Sequence, residues 1–208
     1  GSSLKFSDYR LYQCGDDIRQ IDWNVYGRTE KYYIKGFLDE KEITIALYLD
    51  CSRSMQISQE KWQLARQLAA SFAFIALIQN DRLSFIPGKK ETHIITRKGS
   101  AFARALFQQI SQLPGDTGND PFTLVCKKNL LKNRELALVI TDGLEPVENW
   151  GDFLHRLASS HKSVRFLQLL ARDEVAPEFT GDRLLVDSES QQEVNVSMSG
   201  KVISLYRE

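Results

Sequence analysis

The chain has 208 residues, of which 42% are hydrophobic and 10% aromatic, a composition that suffices to bury one core but not two. Because its 27 basic residues balance its 27 acidic ones, no overall field attracts nucleic acid or an anionic membrane. Its three widely spaced cysteines fit neither a disulfide framework nor a zinc site, which predicts a reducing, cytoplasmic location. Polar residues interrupt the most apolar stretch, residues 64–78, so we predict no membrane-spanning segment.

The first 41 residues are predicted to form an N-terminal arm packed on a domain that comprises residues 42–208. The arm is rich in charged side chains, which either present a partner surface or form a self-satisfied ion-pair network that ties the arm to the domain, and the network is the favoured interpretation. These side chains are Asp16, Asp17, Arg19, Asp22 and Arg28.

From residue 42 onward, short aliphatic runs alternate with longer helical patterns, which is typical of βαβ units and a parallel sheet. In chain order the pattern predicts a strand at 43–49, a helix at 61–79, strands at 82–86 and 93–96, a helix at 100–113, a loop at 114–120, a helix at 122–131, a strand at 136–140, a helix at 149–160, a strand at 164–170, and a terminal hairpin of strands 183–186 and 194–196 around the turn 187–192. Ser100 is the predicted N-cap of its helix.

The predicted fold class is α/β, with a mostly parallel central sheet and helices on both faces. Consecutive strands joined by a tight turn must run antiparallel, and the Pro87-Gly88 pair favours such a turn. The sheet should therefore carry one antiparallel edge strand.

Two of the apolar strands end in carboxylates, Asp50 and Asp142, and hydroxyls follow the first of these at Ser52 and Ser54. In an open parallel sheet, ligands bind at the carboxyl ends of the strands. Hard oxygen ligands of this kind suit Mg²⁺, Mn²⁺ or Ca²⁺ and do not suit zinc or copper. The sequence therefore predicts a site for a divalent cation at this edge.

These residues, together with Thr117 on the intervening loop, resemble the metal-ion-dependent adhesion site of von Willebrand factor A domains. The resemblance implies a Rossmann-like fold in which Ser52, Ser54 and Thr117 approach the cation directly, while Asp50 and Asp142 act partly through waters. It also implies that an Asp or Glu of a partner protein completes the coordination. The family usually has Gly-Gly before its ligand Thr, whereas Gly115-Asp116 precedes Thr117 here, so Thr123 is the alternative ligand.

The arm resembles a narrower bacterial family, catalogued as domain of unknown function 58, in which such an arm leads into an Asp-x-Ser-x-Ser-Met strand end like that of Asp50 to Met55. The resemblance implies a partner among the MoxR-type AAA+ ATPases, to which such proteins present clients. The matching stretches are Asp8-Tyr9-Arg10, Gly15-Asp16-Asp17-Ile18-Arg19-Gln20-Ile21-Asp22-Trp23, Arg28-Thr29, Tyr33-Ile34-Lys35, Arg172-Asp173 and Leu185-Val186-Asp187-Ser188-Glu189.

Two other functions are compatible with an Asp after the first strand of the sheet. A Mg²⁺-dependent phosphotransferase of the haloacid dehalogenase type needs a second Asp two residues later as its general acid, and Ser52 stands there. A metal-free scaffold results if the Asp50 loop only caps a helix. The prediction is a non-enzymatic, metal-dependent protein-binding module.

Overall fold

The computed structural model of the protein describes residues 5–38, 42–116, 118, 120–176, 181–186 and 193–198. The chain divides into two compact units, Gly1–Glu42 and Ile43–Glu208. Within the described residues, no helix has the length and apolar character needed to cross a membrane.

The first unit is an antiparallel pair of strands, β1 (Lys5–Leu11) and β2 (Tyr33–Leu38), with the helix α1 (Trp23–Thr29) between them in the chain. Asp22 caps α1 by accepting from the backbone N–H groups of Asn24 and Val25. Asp16 accepts two 2.7 Å bonds from the Arg10 guanidinium, and this contact lowers the pKa of Asp16 to about 2. Asp16 and Asp22 of the arm thus have partners within the unit.

The second unit contains a five-stranded sheet. Its strands are β3 Thr44–Asp50, β4 Arg82–Gly88, β5 Ile95–Lys98, β6 Arg134–Thr141 and β7 His161–Gln168, and their order in the sheet is β5-β4-β3-β6-β7. Strand β3 lies at its centre and pairs in parallel with β4 and β6, while β7 runs parallel to β6. Strand β5 pairs antiparallel with β4, which confirms the predicted antiparallel edge strand.

Helices cover both faces of this sheet, as predicted. They are α2 Gln59–Ile78, α3 Ala103–Ser111, α4 Phe122–Lys128, α5 Val147–Ser160 and the short α6 Arg172–Val175. Leu47 and Leu49 of β3 belong to a core cluster with α2 and α3, whereas Ala46 and Tyr48 belong to a separate cluster with α4 and α5. This division follows from the alternation of side chains along a strand.

Several predicted boundaries were wrong. Strand β4 continues through Pro87-Gly88, so the turn to β5 lies later than predicted. Ser100 is not an N-cap: it begins a 3-10 turn after Gly99, whose φ is +87°, and α3 starts only at Ala103. The terminal hairpin is confirmed as β8 (Gly181–Val186) and β9 (Glu193–Met198), although its turn at 187–192 lies outside the described residues.

Phe153 of α5 provides a test of the second core cluster. Its fully buried ring packs against Tyr48, Phe122 and Trp150 at centroid distances of 5.9 to 6.4 Å. We expect Phe153→Ala to lower the free energy of unfolding by about 3–5 kcal/mol, since both apolar burial and packing are lost. The matched Phe72→Ala, at a 41% exposed position, should lower it by less than about 1 kcal/mol. Equal losses in urea denaturation would contradict this packing.

Candidate metal centre

The two predicted carboxylates meet at the carboxyl edge of the sheet because β3 and β6 are parallel neighbours. Leu49 pairs with Ile140, so Asp50 and Asp142 follow at the same end. The Thr141 hydroxyl donates a 2.7 Å bond to Asp50 Oδ2 and thereby joins the two strand ends. Both carboxylates are only 2% exposed.

The loop after β3 brings the two predicted hydroxyls together. The backbone N–H of Ser52 donates to Asp50 Oδ1 at 2.9 Å, which turns the chain back on itself. The Oγ atoms of Ser52 and Ser54 then lie 3.0 Å apart, and both residues are buried. Four of the five predicted ligands are therefore placed on two adjoining segments.

Thr117, the fifth predicted ligand, lies outside the described residues. Its neighbour Asp116 donates a backbone bond to Cys51 O at 2.8 Å. The Gln56 side chain reinforces this contact by donating to the carbonyl oxygens of Cys51, Ser52 and Asp116. A Cβ atom on Gly115 would stand 2.0 Å from the amide group of Gln56, so a larger residue at this position would displace the Gln56 side chain from these carbonyl groups.

The alternative ligand Thr123 is buried at the start of α4. Its hydroxyl donates to Glu145 Oε2 at 2.7 Å, and its backbone N–H donates to Glu145 Oε1 at 3.1 Å. Thr123 is thus engaged by Glu145.

Lys61 belongs to the site although the sequence interpretation did not include it. Its ammonium group, which is buried, donates to Asp142 Oδ2 at 2.9 Å and to Ser54 O at 3.1 Å. It also donates to both oxygens of Glu174 on α6, at 2.8 and 2.9 Å. A sequence signal existed, because Lys61 precedes the buried Ala65 and Ala69 by one and two helical turns.

Burial dominates the electrostatics of Asp50. Loss of water around its carboxylate raises the pKa of Asp50 to about 7, while the bonds from Thr141 and Ser52 oppose the rise and the charge of Asp142 adds to it. Burial also raises the pKa of the Cys51 thiol well above its ordinary value. Cys51 is therefore a packed thiol without nucleophilic character at neutral pH.

The donor set fits a hard divalent cation. The side-chain atoms of Asp50, Ser52, Ser54 and Asp142 that can coordinate a metal are all oxygens. Each carboxylate oxygen of Asp50 and Asp142 already accepts a hydrogen bond from the protein. A carboxylate has about four acceptor positions, so each retains room for a water that contacts the cation. Among the described residues, no cluster of three or more His, Cys, Asp and Glu side chains could hold a metal.

The raised pKa of Asp50 predicts how the stability of the metal-free protein depends on pH. Because the folded state keeps this proton up to about pH 7 and the unfolded state loses it near its ordinary pKa, stability contributed by Asp50 falls as pH rises between these values. The variant Asp50→Asn cannot titrate at this position. Its melting temperature relative to that of the wild type should therefore be higher at pH 8 than at pH 5. Thermal unfolding after chelator treatment measures this, and a constant difference would contradict the burial of an ionising carboxyl.

Comparison with solved structures gives distant similarities. A von Willebrand factor type A protein from Catenulispora acidiphila matches with a TM-score of 0.44 and 15% identity over 61% of this chain and 33% of its own. An aerotolerance-related membrane protein from Bacteroides fragilis NCTC 9343, whose crystal structure carries multiple mutations to serines, matches with a TM-score of 0.42 and 15% identity over 80% and 86% of the two chains.

Sequence comparison gives a stronger relationship. Uncharacterized proteins of Mycobacterium bovis and Mycobacterium tuberculosis, Mb1516 and Rv1480, are each 30% identical to this chain over 199 residues. The match covers 91% of this chain and 62% of the length of each relative. Residues 8–206 match the family described as "Protein of unknown function DUF58". The chain belongs to this family.

Proposed function

We propose that the chain is a protein-binding module of the von Willebrand factor A type that depends on a divalent cation. The observation that supports the proposal most is the convergence of two buried carboxylates and two buried hydroxyls at the carboxyl edge of the sheet. Parallel sheets place ligand sites at this edge. Oxygen donors of this kind select Mg²⁺, Mn²⁺ or Ca²⁺.

In this proposal Ser52 and Ser54 contact the cation directly, with Thr117 as the third hydroxyl. Asp50 and Asp142 act through water, since protein donors already orient both oxygens of each. When bound, the cation supplies an electrophilic position that a carboxylate of the partner completes. The chain orients the ligands, and Ser52 occupies the position at which a phosphotransferase of the haloacid dehalogenase type requires its general acid.

The surroundings of the site also favour protein recognition. Large apolar side chains are exposed in the segments that directly follow Ser54 and Asp142, namely Ile57, Leu144 and Val147. Exposed apolar side chains of this kind supply contact area to a protein partner. Our proposal takes the partner from what the family resemblance implies, a MoxR-type AAA+ ATPase or its client. The matched relatives extend beyond the part that this chain covers.

One observation favours the alternative of a metal-free scaffold. The Lys61 ammonium already neutralises Asp142 at 2.9 Å, so the carboxyl edge does not depend on a cation for all of its charge balance. The two functions differ in whether added cation stabilises the fold and controls partner binding.

Millimolar Mg²⁺ or Mn²⁺ should raise the melting temperature modestly, since a cation that binds only the folded state stabilises it by mass action. Asp50→Ala should abolish this increase. The control Asp152→Ala, which removes an exposed carboxylate from α5, should leave it intact. Calorimetry that detects no binding, together with an unchanged melting temperature of the wild type, would exclude the metal-dependent function.

Complex formation with a MoxR-type AAA+ ATPase from the same organism should be lost in EDTA and in Ser52→Ala, while circular dichroism stays unchanged. Removal of one ligand weakens the cation site without disturbing the core strands, because the loop lies at the rim of the sheet. Ser159→Ala, at an exposed position near the end of α5, should bind normally in a pull-down with purified components. Equal binding with and without EDTA would show that recognition uses another surface.

A further inference from the structure

Lys61 is a buried cation next to the proposed cation site. Its side chain is 2% exposed, and its Nζ atom lies 2.9 Å from Asp142 Oδ2. Burial of an ammonium group is costly unless it is paired and hydrogen-bonded, and here three residues from three segments accept its hydrogen bonds: Ser54 through its carbonyl, Asp142 and Glu174. The groups around the Lys61 ammonium therefore stabilise a positive charge at this position.

Glu174 balances that charge from the outer side. Its carboxylate contacts Lys61 with both oxygens and also accepts a bond from the backbone N–H of Ala171 at the start of α6. The segment before α6 is held to the site as well, since Leu169 N donates to Thr141 O at 3.0 Å. Glu174 is thus fixed relative to the carboxyl edge of β6 and is only 16% exposed.

We propose that Lys61 and Glu174 form an internal charge pair that sets the affinity of the site for a divalent cation. This inference rests on the proposed function. Asp50, Asp142 and Glu174 contribute three negative charges when ionised and Lys61 contributes one positive charge. Removal of the Lys61 charge makes the site more negative and strengthens cation binding, whereas removal of the Glu174 charge does the opposite.

This proposal predicts a direction that a purely structural role of Lys61 does not. If Lys61 only held Ser54 and Asp142 in place, its loss would disorder the ligands and weaken cation binding. If its charge opposes the cation at short range in a poorly screened site, its loss strengthens binding by about tenfold or more. The two roles therefore shift the dissociation constant in opposite directions.

The test is titration with Mn²⁺ alone, by calorimetry at one pH and one ionic strength, of the wild type and three variants. Lys61→Met should bind Mn²⁺ about tenfold more tightly than the wild type, and Glu174→Gln about tenfold more weakly. The double variant Lys61→Met/Glu174→Gln restores the net charge and should return to within about threefold of the wild type.

Lys162→Met is the matched control for removal of a paired lysine charge. Lys162 pairs with Glu135 at 3.2 Å, near the opposite end of β6, about 23 Å along the strand from Asp142. At that separation the charge is screened, so Mn²⁺ affinity should be unchanged. Circular dichroism and thermal unfolding verify that each variant is folded, and Glu174→Gln, which changes a partly exposed group, provides the test if Lys61→Met does not fold.

Weaker Mn²⁺ binding by folded Lys61→Met, or unchanged binding by Glu174→Gln, would overturn the inference while the cation site stands. Absence of Mn²⁺ binding in the wild type and all variants would overturn the proposed function itself. Binding that is absent in the wild type but present in Lys61→Met would support the charge pair and contradict the metal-dependent function.

Discussion

The burial of charge at the carboxyl edge of the central sheet constrains the structure around the site. Asp50, Lys61 and Asp142 are each at most 4% exposed, and a buried charge is costly unless other groups satisfy it. The Ser52 turn and the Thr141 hydroxyl bond satisfy Asp50. Lys61 and the backbone N–H of Leu144 satisfy Asp142. These hydrogen bonds stabilise the conformations of the loop after β3 and the loop after β6.

The order of the strands in the sheet brings these buried charged residues together at one edge. Asp50 and Asp142 are separated by 91 intervening residues, yet parallel pairing of β3 with β6 places them at one edge. Helix α2 begins close to the same edge, so that its first turn supplies Lys61, while its later turns bury alanines in the core. The stability of the core and the geometry of the site therefore both depend on α2.

The site contains a positive charge that the predicted set of two carboxylates and neutral hydroxyls did not include. With Lys61 beside Asp142, that carboxylate is neutralised by the protein, and a bound dication would retain more positive charge. Such a cation would have a greater demand for an external carboxylate, as the proposed recognition of an acidic side chain on a partner requires. Glu174 brings the opposite charge to the same network, so α6 is linked to the electrostatics of the site although it supplies no proposed ligand.

The sequence alone determined the order of strands and helices in the second unit apart from the short helix α6, which it did not predict. It also determined the antiparallel edge strand and the grouping of Asp50, Ser52, Ser54 and Asp142. Those features follow from local periodicity and from residues that directly follow apolar strands. The cap at Ser100 was predicted wrongly because the positive φ of Gly99 leads the chain into a 3-10 turn. Only the tertiary structure identified Lys61 and Glu174, since their roles depend on contacts between residues 113 positions apart. Helical periodicity shows which face of α2 is buried, but the acceptors that make a buried lysine stable come from strand and loop ends that the fold brings together.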